Sequence, residues 1–278
     1  MSFFRKKARV GVRDVRAIRA KMNIYRMRLE KLLRATELHE PRVILADLAK
    51  RGSTPDEAAN LLRVYWHVPP GPIRNLTSLV EAAGIMVVPF DFGSASVDGL
   101  SIYEPNDTLP PIIFLNAHIP TDRWRWTLAH ELGHVVLHHH LQIPPDEKDI
   151  EAEGHRFAQE FMMPAREIAG QLGGLTMARL AQLKRHWGTS MRALLKRAEG
   201  LQRITERQAR YLWMQISRKG IAEPVELERE EPTILRTLVS KHLGELGYSL
   251  RELGEMLHQT ADDFRADFGM PATHLRLA

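Results

Sequence analysis

Apolar residues recur at helical spacing along most of this chain and change to short β-type runs in one window only, which predicts a mainly helical protein with a small sheet. Residues 12 to 36 contain neither Gly nor Pro and read as one helix. In 53-STPDEAANLLRVYW-66 a Ser/Thr cap, an early proline and first-turn acids precede a periodic apolar run, the signature of a helix start. Pro69-Pro70-Gly71-Pro72 is a hard break, and the NLTSLVEAAG that follows predicts a short helix closed by Gly84. Between residues 85 and 116 the runs IMVVPF, GLSIYE and IIFLN, separated by DFGSASVDG and PNDTLPP, predict about three strands in a small antiparallel sheet.

Pro120-Thr121-Asp122 then opens a helix through WRWTLAHELGHVVLHHH, which QIPPDEKD ends, and 149-DIEAEGHRFAQEFMM-163 is a further helix that stops before Pro164. Three amphipathic segments fill residues 175 to 218, and 249-SLRELGEMLHQTADDF-264 continues the helical style. The expected class is α+β, mainly helical, with the sheet packed on the helix that begins at Pro120. The breaks suggest a helical region 1–68, a core 69–170, a helical unit 171–220 and a helical C-terminal region 221–278.

Composition narrows the chemistry. The 278 residues are 44% hydrophobic, enough for one or two cored domains. There is no apolar run of about 18 residues to span a bilayer, and MSFFRKKARV is followed by charge where a signal peptide has its apolar core, so a cytoplasmic protein without membrane contact is expected. With no cysteine, a transition metal has to be held by the 13 His and the 34 Asp and Glu. The net charge of +5 is uneven: residues 1 to 34 carry twelve Lys and Arg against Asp14 and Glu30. Such an arm can meet nucleic acid through phosphate contacts, or it is a solvated helix.

The concentrated chemistry lies in His130-Glu131-Leu132-Gly133-His134. Residues four apart on a helix stand one turn above each other, so His130 and His134 can present imidazoles to one ion with Glu131 beside it. Leu128, Ala129, Leu132, Val135, Val136 and Leu137 frame the motif, which predicts a packed helix rather than a solvated one. A zinc held by three protein ligands keeps a position for water, and Glu131 is placed to act as general acid–base.

The third ligand is less direct. His140 stands ten residues after His130, as in one known extension of the motif, but Leu137 occupies the place of the glycine that would turn the chain back, so His140 is rejected. His138, His139 and His140 are read as helix C-terminal residues suited to the dipole. On the next helix, Gly154, Phe157, Ala158, Phe161 and Met162 define an apolar face that includes Glu151, whereas Glu153 falls on the side of Arg156 and Glu160 and reads as a solvated charge. Glu151 is preferred, with Glu153 as the alternative, and His155 reads as a partly exposed residue.

The strings 123-RWRWTLAHELGHVVLH-138 and 151-EAEGHRFAQEFMMPA-165 resemble the ImmA/IrrE family of bacterial and phage metallopeptidases, whose helices typically read R-x-R-F-T-L-A-H-E-L-G-H and E-x-x-A-x-x-F-A-x-x-x-L-M-P. Trp126, Gly154 and Met162 depart from the usual Phe, Ala and Leu. The resemblance extends over roughly residues 60 to 220 and implies a zincin-like core, Zn2+ as cofactor, and Glu151 as third ligand. It also implies a narrow substrate preference, for a DNA-binding repressor or an antitoxin. Residues 1 to 68 lack the helix-turn-helix pattern that many relatives carry, so a DNA-binding partner would be met in trans.

Residues 179 to 205 place two helices around Gly188-Thr189-Ser190 with helix-turn-helix spacing, and Lys184, Arg185, Arg192 and Lys196 are candidate phosphate contacts. The plain reading is a packing bundle beside the motif helix. Two functions therefore compete: a zinc endopeptidase acting on one partner protein, and a DNA-binding regulator or toxin–antitoxin component whose zinc site is structural or vestigial. The intact Glu131 beside three placed ligands favours the first.

Overall fold

The computed structural model describes residues 11–36, 42–43, 54–104, 109–139, 147–218, 223 and 225–268. Helix α1 (Val12–Leu33) turns Ile18, Met22, Tyr25, Leu29 and Leu32 inward, spacings of three and four that make one stripe. Helix α2 (Pro55–Tyr65) begins at a reciprocal cap, in which Thr54 Oγ1 accepts from the Glu57 N–H at 3.2 Å and Glu57 accepts from the Thr54 N–H at 2.7 Å. Helix α3 (Leu76–Ala82) is capped by Asn75, and the chain turns at Gly84 with φ of 82°, a conformation that glycine adopts without steric cost.

Strands β1 (Met86–Phe90), β2 (Gly99–Ile102) and β3 (Ile112–Asn116) form one sheet in the order β1-β3-β2. The sheet is mixed rather than wholly antiparallel: β2 and β3 run antiparallel, but β1 and β3 are parallel, with Val87 opposite Ile113. The segment after β1 carries the chain past the central position to the far edge, and β3 returns between its two predecessors. Alternation of side chains has the same period in both kinds of pairing, so the run pattern alone does not distinguish them.

Both faces of the sheet are covered, which is why β1 and β3 are almost uninterrupted apolar runs. Val87, Ile113 and Leu115 join a core built with α2, α3, α4 (Thr121–Leu137) and α5 (Glu147–Met162). Helices α7 (Met177–Trp187), α8 (Met191–Gly200) and α9 (Glu206–Arg218) extend that core through Leu180, Trp187, Leu194 and Leu212, after the short α6 (Ala165–Ile168) and a 3-10 turn. Met86, Val88, Ile112 and Phe114 face a second cluster formed by α1 with α10 (Ile234–Gly244), α11 (Leu250–Met256) and α12 (Ala261–Asp267). Helix α1 thus meets the last described helices on one face: Tyr25 Oη donates to the Asp267 carbonyl at 3.0 Å, Arg28 pairs with the Asp267 carboxylate at 2.6 Å, and Lys31 Nζ donates to the Met256 carbonyl at 3.0 Å.

An extended segment before α10 crosses α4 near its start. Arg229 sets its guanidinium 4.2 Å from the centre of the Trp124 ring and donates to the Ala117 and Ile119 carbonyls. The neighbouring Glu230 forms a buried ion pair with Arg125. Among the described residues no helix is long and apolar enough to cross a membrane.

Candidate metal centre

Helix α4 is buried along most of its length, so its histidines face protein and not bulk water. His130 and His134 are 0% and 1% exposed, and their Nε2 atoms stand 3.0 Å apart. Glu151 reaches the same point from α5, with Oε2 3.4 Å from His130 Nε2 and Oε1 3.5 Å from His134 Nε2. Ligand atoms bound tetrahedrally at about 2.0–2.1 Å lie about 3.3 Å from one another, so the three separations fit a small cation at their centre. These three residues are the group able to hold a metal among the described residues, and Glu153 is not part of it.

Two glycines let α5 come this close to α4. A Cβ on Gly133 would meet Phe157 Cδ1 at 3.0 Å, and one on Gly154 would meet His130 Cε1 at 2.9 Å. The imidazoles therefore lie directly against the α5 backbone. Burial pushes the Glu151 carboxyl up, but its contacts with His130 and His134 outweigh that and hold it well below the usual carboxylate range. The His155 ring stacks at a tilt on His130, with centroids 4.5 Å apart, and is half-buried.

Glu131 is 1% exposed and accepts from Ser101 Oγ at 2.9 Å. Ser101 lies on β2, and alternation along the strand sends Leu100 to the far cluster and Ser101 toward α4. His139 Nε2 is 3.2 Å from the same hydroxyl, and its Nδ1 donates to the Tyr103 carbonyl at 3.0 Å. Ser101 and His139 thereby frame the Glu131 carboxylate from the sheet side.

Of the histidines after the motif, read from sequence as suited to the helix dipole, the two described ones are buried. His138 and His139 are 1% and 6% exposed. Burial, reinforced by His134, lowers the His138 imidazole to about 4, and the same causes lower His139 to about 3, so neither carries the charge a dipole role needs. His138 Nδ1 is 3.0 Å from His134 Nδ1, and His138 Nε2 is 2.8 Å from Glu153 Oε2. Glu153 is therefore a hydrogen-bonded partner of His138 rather than a solvated charge, because α5 lies close enough for Glu151 to reach α4 and for Glu153 to reach its C-cap residue. His140 lies outside the described residues.

Sequence reasoning alone passed over Ser101 and the pairing of Glu153 with His138. Signals were present: a lone small polar residue inside the apolar strand GLSI, and a histidine four residues after His134 on the same helix.

The candidate phosphate contacts of the helical unit separate. Lys184 is 3% exposed, with Nζ 2.6 Å from Asp122 and 2.8 Å from Glu223, and these two pairings outweigh burial and raise its ammonium. Its charge is spent holding α7 to α4. Arg185 and Lys196 are exposed and Arg192 is partly so. Arg197 is buried in an ion pair with Glu160, and Gly188, at φ 63°, lies against the Arg125 guanidinium.

No curated protein matches the chain. Residues 80–199 match the family described as Peptidase_M78, IrrE N-terminal-like domain, a span that contains the strands, α4 with His130 and His134, α5 with Glu151, and α7 and α8. The sheet and the two helices that bring His130, His134 and Glu151 together thus lie within the stretch that is similar to this metallopeptidase family.

Proposed function

We propose that the chain is a zinc-dependent endopeptidase that cuts one partner protein. One observation carries the reading: a largely buried site in which His130, His134 and Glu151 converge while Glu131, which is not one of the three, stands next to His130 in sequence. A zinc ion bound there supplies Lewis-acid polarisation of the scissile carbonyl and eases deprotonation of water. Glu131 accepts the proton of the attacking water and returns it to the departing amine nitrogen. Ser101 fixes the carboxylate that does this.

The substrate strand pairs along β2, the edge next to Glu131; β3 is central and already bonded on both sides. The substrate class, a DNA-binding repressor or an antitoxin, rests on the resemblance of 123–138 and 151–165 to the ImmA/IrrE strings.

Metal content of protein purified without added metal tests the site. Wild type is expected to hold about one zinc per chain, and His130→Ala, His134→Ala and Glu151→Ala to hold none. Wild type that takes up no zinc even on titration would end the peptidase reading. Ser101→Ala is expected to keep its zinc and to cleave a peptide selected from a proteome-derived library about tenfold more slowly, the equivalent of one hydrogen bond to a charged group. An unchanged rate would mean that Ser101 does not fix Glu131.

A further inference from the structure

We propose that Glu153 and His138 are positioning residues that set the tautomer and ring orientation of His134 for metal binding. The inference rests on the reading of His134 as a ligand. His134 uses Nε2 toward His130 and Glu151, so its Nδ1 is the remaining nitrogen, and that atom lies 3.0 Å from His138 Nδ1. Two ring nitrogens at that distance need one proton between them. Which ring supplies it follows from the far end of the chain, where His138 Nε2 lies 2.8 Å from Glu153 Oε2.

An ionised carboxylate only accepts, so the His138 proton sits on Nε2 and points at Glu153. In that tautomer His138 Nδ1 holds a lone pair and accepts. His134 Nδ1 must then donate, and its Nε2 is left as a lone pair aimed at Glu151 and His130. This is the form a metal ligand requires. Reversing any one proton would turn an N–H of His134 toward the ligand cluster.

Packing holds the same geometry. His134 and His138 are each 1% exposed, and the Gly154 backbone closes on His134, a Cβ there meeting its Cε1 at 3.1 Å. Helix α5 thus acts on the metal position twice, directly through Glu151 and, by way of His138 and His134, through Glu153, two residues on. Glu153 is partly exposed, with 31% of its side chain reaching solvent, so it can be changed without opening the core.

Zinc affinity measured by competition with a chromophoric chelator tests this, with the absorption spectrum of the cobalt-loaded protein as a second readout. The full chain is used as wild type, Glu153→Ala, Glu153→Gln and Glu151→Ala. Losing the acceptor in Glu153→Ala is expected to weaken zinc about tenfold or more and to shift the cobalt bands. Glu153→Gln, whose amide oxygen still accepts from His138, is expected to restore most of the affinity. Wild-type affinity in Glu153→Ala, or Glu153→Gln no tighter than Glu153→Ala, overturns the relay. If Glu151→Ala loses zinc while Glu153→Ala does not, the relay alone fails. If wild type binds no zinc, the site itself fails.

Discussion

Glu131→Gln is expected to bind zinc like wild type and to hydrolyse its substrate about 10²–10⁴-fold more slowly, the usual contribution of a positioned general acid–base. The substitution keeps the volume of a side chain that is 1% exposed, and its amide oxygen can still accept from Ser101 Oγ. Packing of α4 on β2 therefore survives, and only the capacity to take a proton is lost. The measurement is zinc content and single-turnover cleavage on the same preparation. Full zinc with lost cleavage separates Glu131 from the ligands. A loss of zinc would make Glu131 a fourth ligand and the site a closed, structural one. Wild-type cleavage with full zinc would require another base.

The site was legible to the extent that it is local. His130 and His134 share a helix face by spacing alone, and Glu151 falls within the apolar face of the following helix, so periodicity places all three toward one another once the helices pack. Glu153 shows the limit of that reasoning. Periodicity assigns it to the polar side, but the glycines at 133 and 154 bring α4 and α5 so close that this side also reaches a histidine. The alternation of β2 and β3 was readable, whereas the parallel partner of β3 depends on the path of a loop. Least legible were contacts made across long separations. Ser101 meets Glu131 across thirty residues, and Lys184 finds Asp122 and Glu223 while Arg185 on the same helix and Lys196 on the next, of the same charge, are exposed. A one-dimensional charge pattern does not distinguish a buried lysine from a solvated one.

Glu230→Ala is expected to destabilise the fold by about 3–5 kcal/mol, the cost of leaving one half of a buried ion pair uncompensated. The pair joins parts of the chain that neither motif nor family span would connect. Arg125 projects from α4 five residues before His130, and the two side chains are 4% and 7% exposed. The same Glu230 carboxylate accepts from the Leu76 and Thr77 N–H groups at 3.0 and 2.9 Å and from Thr77 Oγ1 at 2.8 Å, filling the open N-terminus of α3. Arg125 in turn donates to the Ile73 and Arg74 carbonyls. Truncation to Ala leaves a guanidinium without its counter-charge and two helix N–H groups without an acceptor in the same cavity. Urea unfolding of the apo protein measures the effect, with Arg125→Met and the double variant completing a cycle. A double variant more stable than the sum of its parts predicts would establish the coupling. A change below about 1 kcal/mol in Glu230→Ala, the range of exposed pairs, would mean that the segment does not hold α4. Because Glu230 lies beyond the 80–199 family span, a large loss would also predict that this span expressed alone holds its zinc helix poorly, and that the C-terminal region serves the site by clamping the helix that carries it.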